Sequence, residues 1–330
     1  MKHWYWHSQI KKIKLKIWDP FNYLPWVYSF LIILSTLVLL ICPAARAGQI
    51  LIINSASIKP YQEAIAGFNR AMADITSYRG VMSIQPVSSI VIDLSKSNEL
   101  NTFKQKYQEL QVDLALAVGS RALKMALNLK IPVVYVMVAN PQAMSKGKSN
   151  ITGVMLPVDP VRQLAAIRSR LPTAKRIGMI VPSNRTSPLA QGLQNAASAF
   201  GLKIISQKAD GPREVGKALE ALKGKIDLLW LPPDNSILTP ASLDVFTLFS
   251  LDNRTPLIAF APKYLRHGVL MAIFATPANM GAQAAALAGR ILAGTSPSRI
   301  KPEYAKKAEV IVNPKIAAKL QVRLIQPKTN

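Results

Sequence analysis

The sequence predicts an α/β protein built as two doubly wound parallel-sheet lobes joined by hinge strands. Three observations point there. From Gly48 onward, short apolar β-branched runs alternate with longer amphipathic stretches, the pattern of parallel strands covered on both faces by helices. The alternation runs to about residue 150 and then restarts, which makes two similar α/β sets in sequence. The segments Asn150–Pro157 and Ala272–Pro277 are short and free of low-complexity sequence, as suits chain that crosses between lobes. The expected division is a first lobe over 48–155, completed by about 272–297, and a second over 156–271, completed by about 298–330.

In the first set, strands are expected at Gln49–Ile53, Ser89–Asp93, Asp113–Val118 and Pro132–Val138. Helices are expected at Pro60–Ala73, Asn98–Leu110 and Ser120–Leu129, followed by a loop from Asn140-Pro141 to Gly147. The second set opens with a helix over Asp159–Arg170, ended by Leu171-Pro172. Strands at Arg176–Val181, Leu202–Ser206, Asp227–Leu231, Pro256–Phe260 and Val269–Phe274 then alternate with helices at Ser187–Phe200, Arg213–Leu222 and Leu238–Leu251. An alanine-rich helix over Ala278–Leu292, a late strand at Glu309–Val312 and a short helix from Pro314 close the chain.

The first 47 residues have a different composition. Five lysines, at 2, 11, 12, 14 and 16, precede an uncharged apolar run from Val27 to Cys42, and then Ala45-Arg46-Ala47. That order is a secretory signal peptide. The competing reading is a retained membrane anchor, but the run has 16 residues, short of the roughly 20 that span a bilayer. Cys42 follows Ile41, where a lipid-attachment site needs a small residue. Removing residues 1–47, with six Lys or Arg and one Asp, leaves 35 basic and 16 acidic residues, a formal charge of +19. The basic residues are scattered rather than clustered, so nucleic acid is not the expected partner; a basic surface that attracts anions is. The only cysteine lies in the leader and His267 is the only histidine beyond it. Thiol chemistry, disulfides and a histidine-cluster metal site are thereby excluded from the mature chain. A Ser-His-Asp triad would have to use His267, which sits in the turn-like Arg266-His267-Gly268.

Ligands of open parallel sheets sit beyond the carboxyl ends of strands. The residues found there are Ser55, Ser57, Lys59 and Tyr61 after the first strand, Ser120 and Arg121 after Gly119, and Asn140 after the fourth. In the second set they are Asn184, Arg185, Thr186, Asp234 and Lys263, with Thr276 in the second hinge segment. Helix N-termini and hydroxyls suit a carboxylate or phosphate, Arg121 and Arg185 suit an anion clamp, and Asp234 suits an ammonium group. Each also has a plain structural role open to it: serine N-caps, Asn-Pro and Pro-Asp-Asn turns, solvent-facing arginine, a packed tyrosine. Gly119-Ser120 lacks the Gly-Lys-Ser/Thr end of a phosphate loop, and no dinucleotide glycine fingerprint follows any strand. No cofactor is expected.

Five segments in order carry a family resemblance: Asn150-Ile-Thr-Gly-Val154, Leu171-Pro-Thr-Ala-Lys-Arg-Ile-Gly-Met179, Leu231-Pro-Pro-Asp-Asn235, the stretch Gly281–Gly294, and Val312-Asn313. Together they resemble the ABC-transporter substrate-binding family that includes receptors for aromatic amino acids, over nearly all of residues 48–325. The resemblance implies a type I periplasmic-binding fold whose lobes close over a small solute, a permease in the inner membrane as partner, a monomer, and a periplasmic protein without catalysis. The chain departs from that family at Ala275-Thr-Pro-Ala-Asn279, where a carboxylate is often found, and at Asn54-Ser-Ala-Ser57. These departures weaken the transfer of an aromatic amino-acid ligand; the cleft loops hold Lys59, Arg121, Arg185 and Lys263 against Asp234, so the solute is expected to be small and polar, with a carboxylate or another anionic group, an amino acid being one case. The competing classes are a sensory or adaptor domain anchored by residues 27–42, an α/β enzyme, and a lac-repressor-type regulator; the regulator would need a helix-turn-helix that the sequence lacks.

The leader reading makes a direct prediction: N-terminal sequencing of the exported protein begins at Gly48. A chain that begins at residue 1 and fractionates with membranes contradicts it.

Overall fold

The structure is a computed structural model that describes residues 29, 49–78, 88–96, 111–183, 187–231 and 233–325. The leader, except Ser29, and the helix expected at Asn98–Leu110 lie outside the described residues. Among the described residues no helix is long and apolar enough to cross a membrane.

The first sheet is built from β1 (Gln49–Asn54), β2 (Ser88–Asp93), β3 (Leu114–Val118), β4 (Val133–Val138) and β5 (Ile151–Val158), and is completed by β11 (Glu303–Ala305). Its helices are α1 (Lys59–Tyr78), α2 (Ser120–Ala126) and the short α3 (Pro141–Met144). The second sheet is built from β6 (Arg176–Val181), β7 (Lys203–Lys208), β8 (Leu228–Trp230), β9 (Leu257–Ala259) and β10 (Met271–Phe274), with β12 (Glu309–Val312). Around it lie α4 (Pro160–Arg170), α5 (Pro188–Ala197), α6 (Val215–Leu222), α7 (Pro240–Asp252) and the terminal α9 (Pro314–Lys319), while α8 (Pro277–Leu292) belongs to the first lobe.

The two sheets repeat one topology. Their orders are β2-β1-β3-β4-β5-β11 and β7-β6-β8-β9-β10-β12, and every pairing is parallel except β10 with β12. Strands buried on both faces explain the continuous apolar runs: Leu114–Val118 is buried at every position. Each sheet has a core on either side. Ile50, Leu116 and Val136 pack under α1 and α8, whereas Leu51, Ala117 and Val133 pack under α2.

Contact between α1 and α8 depends on glycine. A β-carbon at Gly281 would lie 1.9 Å from the Ala64 carbonyl oxygen, and one at Gly67 would lie 2.2 Å from that of Ala278. The two helices thus touch backbone to backbone at reciprocal points three residues apart. That contact holds α8 in the first lobe although the strand before it, β10, lies in the second sheet.

The chain passes between the sheets three times: after β5 into α4, after β10 into α8, and from β11 to β12. Asp159 caps α4 through Val161 N–H, and its own N–H donates to the Ala305 carbonyl at 3.1 Å, tying the first passage to the third. Gln283 of α8 donates to the Tyr304 carbonyl at 2.9 Å and accepts from the Lys306 N–H at 3.0 Å, which ties in α8 as well.

Two features differ from the sequence expectation. Asn150–Pro157, expected as a hinge, is a full sheet strand from Ile151, and the passage begins only after Val158. Residues 303–305 pair with β5 in the first sheet, whereas the stretch from about 298 onward was expected in the second lobe. A three-residue strand is too short to show a period of two.

Gly281→Ala is expected to lower stability by about 1–3 kcal/mol through overpacking, against the roughly 1 kcal/mol that alanine gains over glycine in a helix. Thermal denaturation of the mature protein checks this; a raised melting temperature contradicts the backbone contact.

Candidate functional site

In doubly wound sheets the ligand crevice lies beyond the carboxyl ends of the strands, where strand order reverses. These points fall between β1 and β3 in the first sheet and between β6 and β8 in the second. A cavity of about 390 Å3, lined from both lobes, lies at the second of these points, beside the ends of β6 and β8, and faces the ends of β4 and β5 of the first sheet; its volume is in the range of small-molecule sites.

The first lobe contributes Ser120 and the turn Val138–Gln142, with Met155, Leu156 and Pro157 from the end of β5. Gly119 makes this edge possible. Its φ is 86°, and a β-carbon there would meet Ser55 Oγ at 2.6 Å and the Tyr61 ring at 2.8 Å. Ser55, buried, accepts from the Ala122 N–H at 2.9 Å and so caps α2 from the neighbouring strand. Asn140 adopts a left-handed backbone, φ 52°, which turns the chain into α3.

The second lobe contributes Met179–Pro182, Ser187–Leu189, Trp230 and Pro233–Ser236, and β11 adds Tyr304. Ser187 caps α5 by accepting from the Ala190 N–H at 3.3 Å. Asp234 Oδ1 accepts from the Ser236 N–H at 2.9 Å and from its hydroxyl at 2.7 Å, an Asx turn that fixes the carboxylate at the cavity rim. Trp230 is 2% exposed; its indole N–H donates to Gln163 Oε1 at 3.0 Å. The Gln163 amide in turn donates to the Val158 carbonyl at 2.6 Å, at the start of the first passage between sheets. Burial, and then the Asp159 carboxylate, pushes the Tyr304 hydroxyl above its ordinary pKa, so it stays a protonated donor at neutral pH.

Of the residues expected from sequence, the cavity brings together Ser120, Asn140 and Asp234. The others described lie outside its lining. Ser57 donates to Asp93. Lys59 is largely exposed and 3.9 Å from Glu63. Tyr61 packs on the first core, where burial raises its pKa. Arg121 donates to the Leu94 carbonyl at 3.2 Å. Lys263 sits 4.9 Å over the Tyr264 ring, and Thr276 caps α8. Asn184, Arg185 and Thr186 lie outside the described residues. Among the described lining residues Asp234 is the one carboxylate and there is no Lys or Arg. No group of three His, Cys, Asp or Glu among the described residues could hold a metal.

Sequence reasoning missed Trp230, Tyr304, Met155 and Gln142. Trp230 is the last residue of β8, so the carboxyl-end rule, applied to the strand's own final side chain, would have found it. Tyr304 lies on the unanticipated β11.

The fold and the chain both have relatives. The ligand-free, open structure of a substrate-binding protein with adhesive properties from Clostridium difficile matches with a TM-score of 0.62 and 22% identity, over 86% of this chain and 97% of that one. An ABC domain in complex with L-Trp from Streptococcus pneumonia matches with a TM-score of 0.52 and 16% identity over the same shares. Both establish the type I periplasmic-binding fold. A tyrosine-binding protein of Clostridioides difficile (strain R20291) is 25% identical over 218 residues, 63% of this chain, and the match spans 63% of that relative's length. Residues 62–327 match the family described as ABC transporter substrate binding protein, and the chain belongs to that family.

Proposed function

We propose that the chain is the exported solute receptor of an ABC-type importer and that its solute is an amino acid with an apolar or aromatic side chain. The observation that carries this is the composition of the interlobe cavity: Trp230, Tyr304, Met155 and Met179 offer an apolar wall, with Asp234 at the rim. Asp234 receives the ammonium group. The solute carboxylate is met by neutral donors, the Ser120 and Ser187 hydroxyls and the Asn140 amide. The Tyr304 hydroxyl adds a donor from the passage between lobes. Tyrosine as the ligand of the curated relative agrees with this chemistry.

The solute favours the lobes closed around it, and the closed monomer docks on the permease. The protein performs no catalysis and needs no cofactor. A cleaved leader places it in the periplasm.

Calorimetry of the mature protein with a panel of amino acids, L-tyrosine among them, tests the reading. Asp234→Asn keeps the oxygen that accepts from Ser236 but removes the charge. It is expected to weaken binding by about 2–5 kcal/mol, the usual loss for one partner of a desolvated charge pair, with little change in the melting temperature of the unliganded protein. Unchanged affinity would remove Asp234 from the site.

A further inference from the structure

The end of the second lobe opposite the cavity is strongly basic. Parallel strands put all their amino ends on one edge, and here that edge carries Lys175, Arg176, Lys203, Lys223 and Lys225, all exposed. Their proximity is fixed by the backbone. Arg176 and Lys203 are register partners across β6 and β7, and the Lys203 N–H donates to the Lys175 carbonyl at 2.8 Å. The Arg176 guanidinium reaches the Gly224 carbonyl at 3.4 Å, between Lys223 and Lys225.

Two acidic groups at this edge, Asp227 and Glu220, are already engaged; Asp252, at the end of α7, is exposed. Asp227 accepts from the Lys175 and Arg176 N–H groups, both at 2.8 Å, and from the Arg176 guanidinium at 2.7 and 3.2 Å. Glu220 lies 3.8 Å from Lys223. Among the described residues, the side chains of Lys175, Lys203 and Lys225 have no ion pair. Three like charges gathered at one pole repel one another. A counter-charge outside the chain would relieve that repulsion.

We propose that this pole docks on an anionic phospholipid surface. Lysines are flexible, strongly hydrated point charges that suit a fluid array of headgroup phosphates. The five cations include no aromatic neighbour in sequence on which a base could stack, as single-stranded nucleic acid requires. Docking leaves the cavity, at the opposite edge, free for its solute, so the inference stands whatever that solute is.

The test is co-sedimentation of the mature protein with phosphatidylcholine vesicles, with and without phosphatidylglycerol, at low and high salt. Binding is expected only with phosphatidylglycerol and is lost at high salt. The triple variant Lys175→Gln, Lys203→Gln, Lys225→Gln is expected to lose about tenfold or more in partitioning, by the usual strength of lysine near an anionic surface. A control of equal charge loss, Lys130→Gln, Lys146→Gln, Lys148→Gln on the first lobe, is expected to retain it, and equal melting temperatures of both variants confirm intact folds. Failure to bind phosphatidylglycerol vesicles, equal loss in both variants, or preferential binding of duplex DNA overturns the proposal.

Discussion

The buried side-chain amide of Gln163 binds the cavity wall to the point where the chain leaves the first sheet. It accepts from the Trp230 indole and donates to the Val158 carbonyl, and it is 2% exposed. Removing such a partner in a dry site leaves each orphaned group with a penalty of about 1–3 kcal/mol. Trp230, the last residue of β8, and the peptide that begins the first passage are therefore fixed together. The third passage is tied to the first through Asp159 and Ala305, and α8 is tied to it through Gln283. The Trp230 indole is thus connected through Gln163 to the peptide where the chain leaves the first sheet.

Charge is segregated in the same architecture. The cavity presents Asp234 among apolar and neutral polar groups, while no Lys or Arg is buried among the described residues. Desolvating a cation is costly unless it is paired, so exposed ends of helices and strand edges are where unpaired lysines are tolerated. Of the cations expected at the cleft, Lys59, Arg121 and Lys263 each have a partner beside the cavity rather than within it, while Arg185 lies outside the described residues.

Much of the fold was legible because it rests on local patterns. Runs such as Leu114–Val118 and Ile177–Ile180 are buried in strands, and Ser187, Thr239 and Asn313 cap helices where the sequence places a capping residue. What escaped was set by long-range pairing. The strand β11 exists only because Glu303–Ala305 meets β5 across the sheet edge, and with it Tyr304 enters the cavity. Ser120, Asn140 and Asp234 were found because position after a strand is a sequence property; Met155 pairs with Val138 beyond a register shift between β4 and β5, and Gln142 lies in the short α3, where a loop was expected.

The sequence has five tryptophans, four of them before residue 48, so Trp230 is the single tryptophan of a chain that begins at Gly48. Its emission reports on the cavity directly. In the mature protein, the amino acid that binds by calorimetry should change Trp230 fluorescence saturably, with a midpoint equal to the calorimetric dissociation constant. Calorimetric binding with unchanged emission would place the solute elsewhere and contradict the interlobe cavity as the binding site.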